Sequence, residues 1–315
     1  MLRIKNYLSL IKFSHTIFAL PFAFIGFTLG ILTWNDTSGI LIQNDRGLIR
    51  KDVAKTYDFP ADLFGLSTRF LLVMACMITA RSAAMAFNRY LDREYDKKNP
   101  RTTQREIPAG VITAKSALYF TIICCLLFIL AAWFINPLCF ILSPVALFTV
   151  LFYSYTKRFT SLCHLILGVG LSLAPIGAYL AVTGRFDILP LLFSCCVICW
   201  VTGFDIIYAL QDESFDKEHH LKSIPVLLGK IKSIRLSEFL HLMCAILITA
   251  AGWYGDMGIF YWTGAGIFCA LLIYQHWLIK PDDLSNINLA FMTTNGIASV
   301  IFSIFVLADR LQILF

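Results

Sequence analysis

The chain has 315 residues, of which 58% are hydrophobic and only 15% are charged, whereas soluble domains carry roughly 25% charged residues. A soluble domain of this length cannot bury so much apolar surface in one core. The composition therefore excludes an ordinary cytosolic enzyme, a disordered chain and a small secreted disulfide scaffold. It predicts a polytopic protein embedded in a lipid bilayer, and a net charge of +6 does not indicate binding to nucleic acid.

Long uncharged runs recur along the chain and predict membrane-spanning helices. About 20 helical residues cross a bilayer core of about 30 Å, so the run 116–156 must form two helices, which Asn136-Pro137 separates. The first run is too long for a cleavable signal peptide. Nine spans are predicted, at residues 13–35, 70–88, the two halves of 116–156, 159–184, 188–204, 239–255, 257–279 and 284–308.

The predicted fold is an all-α membrane bundle of nine helices that forms a single domain over residues 1–315, with an external loop insertion at 36–66. An N-terminus on the inside places 18 Lys and Arg residues on the cytoplasmic side and seven outside, as positive-inside topology requires. Spans 2 and 6 run in the same direction, and each ends in an aspartate series. This indicates two pseudo-repeated four-helix halves plus one helix, with a site between the halves.

The first aspartate series follows span 2 toward the cytoplasmic face. Asn88, Asp92 and Asp96 are four residues apart and therefore share one helical face. Arg81 lies on that face two turns deeper, where an arginine costs about 2.5–3.5 kcal/mol on insertion scales. We interpret Arg81 as the anchor for an anionic group of a second substrate, although a structural pair with a polar neighbour is the simpler alternative.

The second series follows span 6 and repeats the pattern. Tyr208, Asp212 and Asp216 lie 3, 7 and 11 residues after Asp205, so a continuous helix would carry all four on one face. His164 and His241 lie near the ends of predicted spans without a recurring spacing, and we interpret both as structural residues.

Two opposed carboxylate faces repel each other unless a cation lies between them. Mg²⁺ prefers carboxylate oxygen and commonly combines one or two carboxylates with substrate phosphates. A diphosphate bridged by Mg²⁺ between the two faces would neutralise both, and Arg101, Lys157 and Arg158 are predicted to hold the remaining phosphate oxygens. The alternative is a set of solvated side chains at helix ends, and this remains the interpretation of Glu94 and Glu213, which lie off both faces.

These residues resemble the two signatures of the UbiA superfamily of intramembrane aromatic prenyltransferases. The first signature reads Asn88-x-x-x-Asp92-x-x-x-Asp96, followed by Asn99-Pro-Arg101-Thr102. The second reads Asp205-x-x-Tyr208-Ala-x-Gln211-Asp212-x-x-x-Asp216. Three further segments are similar to the 4-hydroxybenzoate polyprenyltransferase branch: Arg81-Ser82, Arg105-Glu-Ile-Pro108-Ala-Gly110 and Tyr155-Thr-Lys157-Arg158.

The resemblance implies an enzyme of the bacterial inner membrane that uses Mg²⁺, with its active site toward the cytoplasmic face. The implied reaction transfers a polyprenyl group from its diphosphate to the ring of a small aromatic acid in ubiquinone biosynthesis. The metal would be held by Asp92, Asp96, Asp212 and Asp216. The diphosphate would contact Asn88, Arg101, Lys157, Arg158 and Tyr208, the acceptor would contact Arg81 and Asn88, and Asp205 would be a further catalytic carboxylate.

Two alternatives remain at this point. A dihydroxynaphthoate of the menaquinone pathway would also present a carboxylate to Arg81. A secondary transporter also has repeats and intramembrane carboxylates, but it usually places them near the midplane. The sequence leaves the acceptor, the prenyl chain length and the oligomeric state open.

Overall fold

The structure is a computed structural model that describes residues 2–11, 18–38, 41–44, 47–50 and 63–312. Parts of the first predicted span and of the predicted 36–66 insertion lie outside the described residues. The helices are α1 (Leu2–Leu10), α2 (Leu20–Ser38), α3 (Leu63–Lys98), α4 (Ala114–Ile135), α5 (Pro137–Thr156), α6 (Cys163–Thr183), α7 (Ile188–Ala209), α8 (Glu213–Glu218), α9 (Ile224–Tyr254), α10 (Ile259–Leu278) and α11 (Asn295–Leu311). Two short strands, β1 (Leu41–Asn44) and β2 (Gly47–Arg50), pair antiparallel within the insertion.

Within the described residues, seven helical segments are long and apolar enough to cross a membrane. They correspond to α3, α4, α5, α6, α7 with its extension, α9 and the segment Leu289–Leu311. The other two predicted spans overlap helices α2 and α10. The apolar part of α2, Leu20–Thr33, is shorter than the seven spanning segments. The predicted all-α membrane protein is confirmed, whereas a count of nine spans and a two-halves repeat stay predictions.

The break at Asn136-Pro137 forms where it is predicted. The Asn136 side chain accepts a hydrogen bond from the backbone N–H of Cys139 at 2.8 Å and so caps α5. Pro137 occupies the first turn of α5, where its missing N–H costs nothing. The amide of Asn136 also donates to the Leu180 carbonyl at 2.8 Å, which fastens the turn to α6.

The bundle packs tightly around aromatic side chains and small residues. Trp200 on α7 is fully buried among Phe22, Phe268 and Phe302, and its indole N–H donates to Asn295 at 2.9 Å. A Cβ on Gly26 would lie 1.9 Å from the Pro175 carbonyl oxygen, so the backbones of α2 and α6 approach closely there.

The second aspartate series departs from the predicted continuous helix. Helix α7 ends at Ala209, a 3₁₀ turn covers Leu210–Asp212, and α8 begins at Glu213. The Gln211 side-chain amide donates to the Tyr208 carbonyl at 3.1 Å within this turn. A 3₁₀ turn has 3.0 residues per turn instead of 3.6, so the second series is not one continuous α-helix. Asp205, Tyr208, Asp212 and Asp216 nevertheless line the same cavity.

Candidate active site

Both aspartate series line one polar cavity of about 170 Å³. Helix α3 contributes the first series, the α7–α8 segment contributes the second, and the connections after α3 and α5 contribute the cations. The predicted site residues that line this cavity are Asn88, Asp92, Asp96, Arg101, Lys157, Arg158, Asp205, Tyr208, Asp212 and Asp216. Only Arg81, among the predicted site residues, lies elsewhere.

Each carboxylate of the first series contacts a cation from a neighbouring segment. The Asn88 amide donates to Asp92 Oδ2 at 3.0 Å, and Arg158 Nη2 lies 3.6 Å from Asp92 Oδ1. Arg158 also donates to the Leu91 carbonyl at 2.8 Å, which joins the end of α5 to α3. Asp96 Oδ1 accepts from Arg105 at 2.6 Å.

The second series is paired in the same way. Arg101 donates through Nε and Nη2 to the two oxygens of Asp212, at 3.0 and 2.5 Å, and through Nη1 to the Tyr208 hydroxyl at 3.0 Å. Lys157 Nζ lies 2.7 Å from Asp216 Oδ2. Burial of Asp216 is nearly complete, at 1% exposure.

Asn99 connects the two series directly. Its amide donates to Asp212 Oδ1 at 3.2 Å, while its own Oδ1 accepts the Arg101 backbone N–H at 2.9 Å. The end of α3 therefore reaches the second series through a single side chain. The two acidic segments, more than 100 residues apart in sequence, meet at one cavity as predicted.

Arg101 and Lys157 lie outside the membrane-spanning segments, and the pKa of each is raised. Burial lowers the pKa of Arg101, but the hydrogen bond and negative charge of Asp212 outweigh burial. Burial also lowers the pKa of Lys157, and the charge and hydrogen bond of Asp216 outweigh it. Both side chains are therefore cationic at neutral pH and suited to bind an anion.

Other residues that the sequence did not single out as site residues also line the polar cavity, among them Asn99, Arg105, Tyr153 and His164. Asn99 and Arg105 closely follow the first series, so their position along the chain was an available signal. No sequence signal indicated His164, whose Nδ1 lies 2.6 Å from Asp205 Oδ2. The interpretation of His164 as a hydrogen-bonded structural residue stays a prediction, but its partners come from other helices and it lines the polar cavity.

Arg81 faces a second cavity, which is apolar and has a volume of about 370 Å³. Side chains from α3, α4, α5 and α6 line it, and Tyr153 lines both cavities, so the two are adjacent. The buried Nε of Arg81 has no hydrogen-bond partner among the described residues. The guanidinium is thus an under-coordinated donor in apolar surroundings, where an anionic ligand would be favoured.

The carboxylate oxygen atoms in the polar cavity are of the kind that Mg²⁺ prefers as ligands. All acidic side chains of this cavity offer hard oxygen atoms, and the buried Oδ2 of Asp96 has no hydrogen-bond partner within the described chain. The described residues hold no ready-made group of three or more metal-ligating side chains. This arrangement suits Mg²⁺, which takes one or two carboxylates and completes its octahedron with water and substrate phosphate.

Comparisons with known proteins agree with this geometry. The model of the UbiA prenyltransferase family matches residues 59–297. A 4-hydroxybenzoate octaprenyltransferase of Tolumonas auensis is 31% identical, over 76% of this chain and 83% of that protein. An enzyme of the same name from Francisella tularensis subsp. novicida is 30% identical, over 72% of this chain and 79% of that protein.

Solved structures have the same fold. The apo structure of a UbiA homolog from Aeropyrum pernix superposes with a TM-score of 0.73 at 25% identity, covering 96% of this chain and 98% of that one. A UbiA homolog from Archaeoglobus fulgidus, bound to DMAPP and Mg²⁺, gives 0.69 at 19% identity, covering 97% and 99%. The family match over most of the chain confirms the predicted enzyme class and decides against the transporter alternative. This chain belongs to the UbiA prenyltransferase family and is a multi-pass membrane prenyltransferase.

Proposed function

We propose that this prenyltransferase transfers a polyprenyl group from polyprenyl diphosphate to the ring of a small aromatic acid of the 4-hydroxybenzoate type. The reaction depends on Mg²⁺ and supplies a lipid-anchored precursor for quinone biosynthesis. One observation carries the proposal: a polar cavity with two acidic series and several cations adjoins an apolar cavity that contains the buried Arg81. The name of the Tolumonas auensis relative supports the choice of acceptor.

The polar cavity binds the diphosphate end of the donor. Asp92, Asp96, Asp212 and Asp216 would hold Mg²⁺, and Arg101, Lys157 and Arg158 would hold phosphate oxygens, with Asn88 and Tyr208 in support. Each of these cations contacts a carboxylate in the ligand-free protein. Carboxylates engaged in holding a metal would release Arg101, Lys157 and Arg158, which could then contact phosphate. When bound, Mg²⁺ supplies charge stabilisation to the leaving diphosphate.

The apolar cavity receives the acceptor ring and the prenyl chain, whose distal part lies at the end of the cavity near Gly177. Arg81 binds the acceptor carboxylate, with Asn88 as a second contact near the boundary of the two cavities. The C–O bond of the donor breaks, and the ring carbon ortho to the phenol hydroxyl forms a C–C bond with the prenyl carbon. The ring proton then passes to Asp205 or to water. Apolar walls exclude bulk water and so prevent hydrolysis of the donor.

We place the protein in a bacterial inner membrane, and the basic-residue bias supports an orientation with the polar cavity toward the cytoplasm. A dihydroxynaphthoate of the menaquinone pathway is the second candidate acceptor, because Arg81 would bind its carboxylate equally well. The two candidates differ in ring size, and they are separated by product analysis.

The test uses purified protein in lipid nanodiscs, one polyprenyl diphosphate and a panel of aromatic acids, with products identified by mass spectrometry. We expect a prenylated 4-hydroxybenzoate in the presence of Mg²⁺ and no product after EDTA, with activity restored by added Mg²⁺. 4-Hydroxybenzyl alcohol, which lacks the carboxylate, is the matched control and should react poorly. Turnover that survives EDTA, or equal turnover of the alcohol, would contradict the proposal.

A further inference from the structure

His164 links three helices at the wall of the polar cavity. It lies in the first turn of α6, and only 3% of its surface is exposed. Its Nδ1 lies 2.6 Å from Asp205 Oδ2 on α7, and its Nε2 lies 3.3 Å from the backbone nitrogen of Ile224. Ile224 is the first residue of α9, so this N–H is one of the donors that a helix leaves without an intrahelical partner.

These contacts fix the tautomer of the ring. A backbone N–H can only donate, so Nε2 of His164 must be the acceptor and cannot carry a proton. The ring proton of the neutral imidazole is then on Nδ1, which donates to Asp205 Oδ2. In a doubly protonated ring, the Nε2–H of His164 would point at the N–H of Ile224, and both groups are donors. The first N–H of α9 therefore keeps Nε2 unprotonated and leaves Nδ1–H as the donor to Asp205.

The same bond determines how Asp205 faces the cavity. With Oδ2 held by His164, the other oxygen, Oδ1, has no hydrogen-bond partner among the described residues, while Asp205 itself lines the polar cavity. The carboxylate thus keeps one oxygen free for substrate.

We propose that His164 is a positioning residue, which holds Asp205 so that Oδ1 faces the phenol hydroxyl or the departing ring proton of the acceptor. This inference rests on the proposed function, because it assigns Asp205 to the acceptor side of the reaction. Both ring nitrogens of His164 are engaged by protein groups. His164 acts through Asp205, as an outer hydrogen-bond partner acts through the ligand that it orients.

Two conservative variants separate the two contacts of His164. In His164→Asn the side-chain amide occupies the place of Nδ1, so it can donate to Asp205 but cannot reach the Ile224 N–H. In His164→Gln the amide reaches the place of Nε2, so its oxygen can accept from Ile224 while the donor to Asp205 is lost. The two variants are matched controls for each other.

We expect one variant to lose thermal stability and the other to lose catalytic rate, each relative to the wild type. His164→Asn should retain most of the wild-type kcat and unfold about 2 to 4 °C lower, because α9 loses an acceptor at its start. His164→Gln should unfold close to the wild-type temperature and lose about 10- to 100-fold in kcat, with the KM for prenyl diphosphate unchanged. The double variant His164→Gln, Asp205→Asn should be no slower than Asp205→Asn alone.

The proposal is overturned if His164→Gln retains wild-type kcat, if activity follows thermal stability in both variants, or if the effects of His164→Gln and Asp205→Asn multiply. Failure of the proposed function has a different signature: the wild-type protein itself forms no prenylated aromatic acid. Wild-type turnover with a fully active His164→Gln variant therefore rejects the role of His164 alone.

Discussion

The two adjacent cavities handle charge in opposite ways. In the polar cavity the described aspartates are each matched by a cation or by His164: Asp92 by Arg158, Asp96 by Arg105, Asp205 by His164, Asp212 by Arg101 and Asp216 by Lys157. In the apolar cavity Arg81 lies among hydrophobic side chains and leaves its Nε without a hydrogen bond in the described part of the chain.

This difference separates two kinds of anion binding. In the polar cavity the negative and positive side chains neutralise each other without a ligand. An anion can therefore enter only together with a metal cation, which would bind the aspartates and free Arg101 and Lys157. The apolar cavity carries an unbalanced cation, so a lone carboxylate can bind there without a metal. A metal-linked diphosphate and a metal-free carboxylate therefore suit different cavities, as the proposed reaction requires.

The largest expected effect comes from breaking the balance of the polar cavity. Asp92→Asn and Asp212→Asn should each lower kcat by about 100-fold or more, because each removes a negative charge that holds the metal against the leaving diphosphate. The measurement is prenyl transfer by purified variants at saturating Mg²⁺.

Two other acidic residues on the same segments provide the controls. Glu94 has a side chain that is 74% exposed, and neither Glu94 nor Glu213 lines the polar cavity. Glu94→Gln and Glu213→Gln should keep wild-type activity. If the glutamate variants lose as much activity as the aspartate variants, the effect is general surface charge and the comparison of cavities fails.

Regular helices explain why much of this site was predictable. Helix α3 runs unbroken over 36 residues, so the four-residue spacing of Asn88, Asp92 and Asp96 translates directly into a common face. Asn136-Pro137 likewise combines a capping side chain with a residue suited to the first helical turn. Local chemistry determines both features, and both are confirmed.

Contacts between distant segments explain what was missed. His164 meets Asp205 and the start of α9, which lie 41 and 60 residues further along the chain, and no spacing rule connects them. The second series is interrupted by the 3₁₀ turn at Leu210–Asp212, which the residue spacing does not indicate. Helix α10 carries the polar residues Gln275 and His276 near its C-terminal end.

A second prediction tests the unbalanced cation. Arg81→Leu should raise the KM for the aromatic acid by about 10- to 100-fold, in line with the loss of a charge-assisted hydrogen bond worth about 1.5–3 kcal/mol. The KM for prenyl diphosphate should not change, and the unfolding temperature should stay equal or rise, because a buried charge is removed. Initial rates at varied concentrations of each substrate give both constants. A rise in the KM for the diphosphate instead would assign Arg81 to the polar cavity.

The smallest expected effect concerns the far end of the apolar cavity. Gly177 lines this cavity on α6, about 21 Å along the helix from Cys163, and a Cβ added there would meet no atom within 4 Å. Because that space is open, Gly177→Phe should fold normally and fill the volume available to the distal part of the prenyl chain.

In the Gly177→Phe variant the prenyl chain would lose the burial of about two methylene groups, at ~0.8 kcal/mol each. This loss corresponds to roughly a tenfold rise in the KM for a long polyprenyl diphosphate. A dimethylallyl donor is too short to reach Gly177 and should be used as well as by wild type. Gly266→Phe is the control, because Gly266 also has open space around its Cβ position but lies on α10, outside the cavity. Equal losses with both donors would mean that the apolar cavity binds only the acceptor and that the prenyl chain follows another path into the lipid.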